Sequence, residues 1–260
     1  MKILLFLKIT FFSLYTLTGL HAQGKSNFNY NIIFGNILKL GEAHISFRKK
    51  KDLYQIKMKI TPTGIAGFLS GHKEEYFESI GKIKDEALFP EYYIRERKTE
   101  DFNYKSIHQF NHEKKEIKLT EFEINQKSKE SKTLKDSVLL NFYVLNDVLS
   151  SFFNLGMKSQ QNNLKSKHFS YETLTLGEDK NKINVSLLKQ NALEKEIKIE
   201  LFEYNRDEDK LYNKKEFFLN MGKQSEFKKV TIKNLFWLGN LEGILLKKDA
   251  LSRHERLSNN

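Results

Sequence analysis

The feature that most constrains this chain is a two-residue beat that recurs along most of its length. In Tyr54-Gln55-Ile56-Lys57-Met58-Lys59-Ile60, apolar and polar residues exchange at every step. Only an extended strand has that period, so Tyr54, Ile56, Met58 and Ile60 share one face. Ile197-Lys198-Ile199-Glu200-Leu201 repeats the beat, and Val230-Thr231-Ile232 followed by Leu235 repeats it with one slip of phase. Ile117 and Leu119 fall out of phase with Phe122 and Ile124, which a β-bulge near Thr120–Glu121 reconciles. Strands wet on one face belong to antiparallel sheets. The pattern predicts strands over 28–34, 38–48, 52–60, 74–83, 91–99, 103–111, 115–124, 167–175, 182–188, 196–204, 214–220, 226–233 and 236–246. Pro62 and Pro90, the two prolines of the chain, are placed between strands, where a missing N–H is harmless.

One segment has a different period. Val138, Phe142, Leu145, Leu149 and Phe152 recur at spacings of four and three, one stripe of a helix. A shorter helix over 146–155, with Asn146 as its N-cap and Gly156 closing it, fits the same residues. In either case Phe152→Asp is expected to break the packing and Asn154→Asp to be tolerated. A second helix is expected over 187–194, and 125–136 reads as a flexible loop. The fold class is therefore mainly β: one curved antiparallel sheet or half-open barrel, with one or two packed helices, in a single domain over 23–260.

The first 22 residues set the expected location. Lys2 and Lys8 precede an uncharged apolar run from Ile9 to Leu20, and Ala22 supplies a small residue for cleavage before Gln23. This is the order of a secretory signal peptide. The run is shorter than the ~20 apolar residues that span a bilayer, so no transmembrane anchor is expected after processing. Cysteine is absent, which rules out a lipoprotein anchor, a disulfide framework and thiol chemistry. The expected product is a periplasmic protein of roughly 240 residues, long enough to bury about 70% of its unfolded surface.

Gly19-Leu20-His21-Ala22-Gln23-Gly24-Lys25-Ser26 matches the spelling of a phosphate-binding loop. That chemistry needs a strand before the loop and a helix after it, and here a leader precedes and a strand follows. No nucleotide is expected. Lysine and arginine number 44 against 33 acids, a net charge of +11. The basic residues alternate with acids, as in Lys127-Ser128-Lys129-Glu130, and form no arginine stripe with stacking aromatics, so no nucleic acid is expected either.

The candidate chemical groups do not assemble into a known catalytic pattern. His108 and His112 stand four apart but on a hairpin, where that spacing spans about 13 Å, too far for one metal. Glu74 and Glu78 share a strand face beside Glu75, the arrangement of a wet sheet face. No cofactor, metal or catalytic residue is expected. Gly64, Gly67 and Gly71, with apolar residues between them, suggest a tight loop that serves as the rim of a barrel mouth.

The order Tyr30-x-x-x-Phe34-Gly35, Gly41-Glu42-Ala43, Tyr54-x-Ile56, Thr63-Gly64, Leu69-Ser70-Gly71, Glu75 and Pro90-Glu91-x-Tyr93 resembles the exported bacterial family known as domain of unknown function 3108. Asn146-Asp147-Val148-Leu149-x-x-Phe152-Phe153-Asn154-Leu155 resembles its helical segment, and Val230-x-x-x-Asn234-Leu235-x-x-x-Gly239-x-x-x-Gly243 its last hairpin. The resemblance implies an envelope β protein and supplies no catalytic residues. The expected function is to bind an apolar or lipid-like ligand, lined by Phe77, Phe152, Phe153 and Trp237, with rim lysines meeting anionic headgroups. The alternative is a structural or assembly protein that binds an envelope protein or glycan through its sheet edge or basic face.

Overall fold

The computed structural model describes residues 24–35, 37–64, 73–160, 168–174, 180–191, 194–205, 210–222, 227–235 and 239–250. The expected signal segment with its expected cleavage pair Ala22 and Gln23, Gly67 and Gly71 of the expected rim, and Trp237 lie outside them. The expected antiparallel sheet is present as a single curled sheet in which 15 strands take part.

Eight strands run out from the start of the chain: β1 (Gly24–Phe34), β2 (Leu38–Lys50), β3 (Leu53–Pro62), β4 (Glu74–Lys84), β5 (Ala87–Lys98), β6 (Phe102–Asn111), β7 (Glu116–Asn125) and β8 (Ser131–Leu139). A two-residue strand β9 (Asn146–Asp147) and helix α1 (Val148–Gln160) follow. Six more strands return: β10 (His168–Leu174), β11 (Lys180–Gln190), β12 (Glu194–Asn205), β13 (Lys210–Gly222), β14 (Phe227–Leu235) and β15 (Gly239–Ala250). The spatial order is β8 through β1, then β15 down to β9, so two meanders join at the antiparallel pair β1–β15. The chain leaves the sheet at β8 and re-enters at the opposite edge, where β9 runs parallel to β10. Helix α1 lies on that crossing and packs against β4, β5, β9 and β10.

The inner face follows the two-residue beat. One row crosses β2 to β7 as Phe47, Ile56, Ser79, Tyr93, His108 and Leu119, each residue directly opposite the next. A second crosses β10 to β14 as Phe169, Val185, Ile199, Phe217 and Ile232. Two hydrophobic cores result, and α1 serves both. Leu149, Phe153 and Met157, spaced one turn apart, face the first; Phe152 and Leu155 face the second. Phe153 stacks on Phe47 at 5.1 Å, and Phe152 meets Phe227 edge-on at 6.1 Å. Phe77 is buried in the first core.

α1 is enclosed on both flanks, where a single apolar stripe would pack on one face only. Ser150, Ser151 and Asn154 are buried with Leu149 and Leu155. Burying each leucine contributes about 2 kcal/mol. An unpartnered hydroxyl or amide at the same depth costs about 1–3 kcal/mol, so every polar group on α1 needs a partner.

Several expectations are corrected. The helix cap is Asp147, not Asn146: its Oδ1 accepts from the N–H groups of Leu149 (2.8 Å) and Ser150 (3.0 Å). Asn146 is occupied elsewhere, its Oδ1 accepting from the Asn154 amide. Gly156 is buried inside the helix and does not close it. The expected loop 125–136 is a turn followed by strand β8. The expected helix 187–194 is instead the hairpin end of β11 and β12, turned by Asn191, whose Oδ1 accepts from Glu194 N–H at 2.8 Å. Val138 lies in β8, outside the helix.

Pro90 sits inside β5, opposite Gly81 and beside a register shift. A Cβ on Gly81 would lie 2.0 Å from the Phe89 carbonyl oxygen, so only glycine permits this approach. The expected bulge near 120–121 is present on the β7–β8 side, where the register shifts between Leu119 and Phe122. The phase slip after Ile232 likewise matches a shift in the β14–β15 ladder.

Candidate functional site

At its first five residues β5 has no neighbour in β6, whose ladder begins at Tyr92. Its free backbone groups are met instead by α1 and by the turn after β6. Asn154 reaches it from α1 with both ends of its amide: Oδ1 accepts from Leu88 N–H (2.7 Å), and Nδ2 donates to Leu88 O (3.0 Å). His112, in the turn after β6, sits between Pro90 O and the Tyr143 hydroxyl, 2.6 Å from each. A carbonyl only accepts, so Nε2 carries the proton of the neutral ring and Nδ1 accepts from Tyr143. His112 thus fixes the segment leading into the helix and has no metal-binding geometry. Among the described residues no group of three His, Cys, Asp or Glu side chains could hold a metal ion.

Between the start of β5, segment 143–146, α1 and β10 lies a cleft of ≈ 680 Å³. That is within the range of ligand pockets, about 300–1,000 Å³. Phe89, Tyr143, Phe169 and Tyr171 supply its aromatic walls, and Val144, Leu145 and Leu155 its aliphatic ones. Asn146, Ser151 and Asn154 place polar groups along the helix side. Asp85 and Glu86, the two-residue turn between β4 and β5, stand at the mouth with Glu172 of β10. Both turn residues have positive φ, 48° and 61°, as a type I′ hairpin requires.

Behind the cleft, a chain of hydrogen bonds is closed off from solvent. Tyr54 Oη lies 2.9 Å from Ser79 Oγ, which donates to Asp147 Oδ2 at 2.6 Å. Burial pushes the Asp147 carboxyl up to about 6, against the pull of its Ser79, Ser150 and Leu149 hydrogen bonds. Tyr93, in the same inner row, is raised by burial and by the nearby Asp147 charge. Burial lowers His108 to about 4, and its ring nitrogens lie by the Tyr93 backbone without a well-formed hydrogen bond among the described residues. These groups have the shifted acidity that often marks chemistry. They are sealed inside the first core and none of Tyr54, Ser79, Tyr93 or His108 lines the cleft.

The residues expected to line a ligand are placed in the cores: Phe77 and Phe153 in the first, Phe152 in the second. None of the three borders the cleft. Gly64 has a left-handed backbone, φ +57°, with open space around it. Glu74 and Glu78 share a face as expected, paired with Lys59 (2.7 Å) and Lys57 (3.4 Å). Glu75 points the other way, to Arg95 (3.1 Å) and Arg97 (3.2 Å). Gly24, Lys25 and Ser26 begin strand β1, not a helix as a phosphate loop requires. The cleft's own residues are dispersed over 85–172, and the only local signal was the alternate spacing of Phe169 and Tyr171 on β10.

Comparison with known proteins supports the fold. The chain is similar to a β-barrel-like protein of domain of unknown function DUF1849 from Brucella abortus, seen in a crystal structure. The TM-score is 0.53 at 10% sequence identity, with 90% of this chain and 100% of that chain covered. A β-barrel-like fold is what the two share. No family model matches the chain, so the narrower resemblance to domain of unknown function 3108 finds no support, and no curated protein matches it. No helix among the described residues is long and apolar enough to cross a membrane.

Proposed function

We propose that this is an exported, non-catalytic binding protein whose ligand, an apolar or amphiphilic small molecule, occupies the cleft between β5, α1 and β10. The observation that carries this reading is the cleft itself: ≈ 680 Å³, with aromatic and aliphatic walls and a few polar groups for orientation. Among the described residues Phe77, Phe152 and Phe153 pack in the two cores, so the proposed site does not use the phenylalanines expected to line a ligand. Removal of residues 1–22 and release into the periplasm belong to the same proposal.

The test is organic extraction and mass spectrometry of protein produced with its own leader, beside a Leu145→Trp variant. Leu145 is 46% exposed at the cleft wall, so tryptophan there fills the cleft without opening a core. The expected result is a co-purifying molecule in the wild type, lost in the variant at unchanged thermal stability. Wild-type protein that carries nothing and takes up no alkyl-chain probe overturns the reading.

A second reading, sheet-edge assembly, has one observation in its favour. β8 forms one edge of the sheet and exposes Leu134, Val138 and Leu139. The same strand has two register shifts and carries Lys132 and Lys135, devices that discourage strand addition. The cleft is therefore the better supported site.

A further inference from the structure

We propose that the cleft selects a positively charged amphiphile of the alkylammonium class and discriminates against anionic ones. This rests on the cleft being the ligand site, and it reverses the sequence expectation of anionic headgroups meeting rim lysines. Over the whole chain, basic residues outnumber acidic ones by 44 to 33. The cleft inverts that balance: among the described residues Asp85, Glu86 and Glu172 line it, and no lysine, arginine or histidine does. Glu172 is bridged by Lys180 at 3.1 Å from the neighbouring strand, which leaves the lining itself acidic.

The walls point to the same charge. A cation is attracted to the face of an aromatic ring, and several rings around one space, with carboxylates nearby, make the chemistry that recognises alkylammonium groups. Phe89, Tyr143, Phe169 and Tyr171 all border this space. Phe169 and Tyr171 form a parallel pair along β10, with ring centres 6.1 Å apart. The Tyr143 ring is held by its hydroxyl on His112. Val144, Leu145 and Leu155 offer the apolar contact that an alkyl tail needs. A carboxylate or phosphate entering here finds no guanidinium or ammonium among the described lining residues, the nearby Lys180 being engaged by Glu172, and it meets like charge at the mouth.

The experiment titrates the full chain by calorimetry with three twelve-carbon probes below their micelle concentrations: dodecyltrimethylammonium, dodecyl maltoside and dodecanoate. The expected result is saturable binding of the ammonium probe, at least about tenfold tighter than dodecanoate and weakened by added salt. In the triple variant Asp85→Asn, Glu86→Gln, Glu172→Gln the preference should fall to within about threefold while the neutral probe still binds. All three positions are exposed, so the variant keeps the fold. Dodecanoate binding at parity or better, or an undiminished preference in the triple variant, overturns the charge assignment and leaves the cleft reading standing. Failure of all three probes to bind overturns the cleft reading and this inference with it.

Discussion

The two inner rows of the sheet solve one problem in different ways. Across β2 to β7, three of six inward residues, Ser79, Tyr93 and His108, carry polar atoms; across β10 to β14 the row Phe169, Val185, Ile199, Phe217, Ile232 carries none. Apolar contact is non-directional, so the second core excludes water without fixing where α1 sits. Hydrogen bonds have direction, and the first half of the sheet supplies them: Asp147 to Ser79, and Asn154 to Leu88. The first half sets the position of the helix and the second half supplies bulk burial. The cleft lies at the boundary, where Leu88 and Phe89 face Phe169 and Tyr171 across the opening.

The largest effect expected from breaking this division is at Asn154. In Asn154→Asp, one oxygen can still accept from Leu88 N–H, but the other places negative charge against Leu88 O in a buried site. A buried charge without its partner costs about 3–5 kcal/mol, measured by urea unfolding at pH 7. A loss below 1 kcal/mol, as the helix stripe alone suggested, would show that the Asn154–Leu88 pair does not position α1. In the other core, Ile199→Ala should cost about 2–5 kcal/mol through the cavity it leaves. That loss should be the same from pH 4 to pH 7, because the neighbours of Ile199 in this core are apolar. A loss that varied with pH would breach the distinction between the halves.

The sheet was legible because its strands are wet on one side and their alternation survives in the sequence. β8 was not: in Ser131-Lys132-Thr133-Leu134-Lys135-Asp136-Ser137-Val138-Leu139 every residue but Lys135 is exposed, so neither face is buried, and the register shifts between Leu119 and Phe122 erase any beat. The helix expected over 187–194 is overridden by strand pairing, with Lys189 opposite Glu196 and Gln190 opposite Lys195. Asn146 and Asp147 are both good caps, and the choice between them was made by Asn154 and Ser79, eight and 68 residues away. The cleft was illegible for a related reason: its walls come from three segments that only the crossing of the chain brings together.

The buried titrating groups of the first core give the comparison a pH axis. Asp147 binds its proton more tightly folded, at about 6, than its ordinary 3.8, so its contribution to stability grows as pH falls between those values. His108 is the reverse, lowered from 6.5 to about 4, so stability present above 6.5 is lost as pH falls toward 4. The two slopes oppose each other and nearly cancel. Asp147→Asn removes the first, and its amide can still cap the helix and donate to Ser79. At pH 7.5 it should be neutral or stabilising, and between pH 6.5 and 4 it should lose up to about 3 kcal/mol more than wild type. His108→Leu should show the opposite slope. Parallel denaturation profiles for wild type and Asp147→Asn would sink this account.

The smallest effect is expected where Ser151 of α1 meets Thr173 and Tyr171 of β10. Ser151 Oγ and Thr173 Oγ1 are 3.0 Å apart, both buried. Thr173 Oγ1 also donates to Asn146 O at 3.0 Å, so its proton keeps a partner when Ser151 is removed. Ser151→Ala leaves Thr173 its bond to Asn146, and the Tyr171 hydroxyl, which also meets Ser151, borders the cleft, so the cost should stay near or below about 1 kcal/mol. Asn154→Ala instead leaves both Leu88 N–H and Leu88 O without their partner and should cost at least twice as much in the same urea titration. If Ser151→Ala proved the more damaging of the two, the helix would be positioned from β10, and the order of the two halves would have to be reversed.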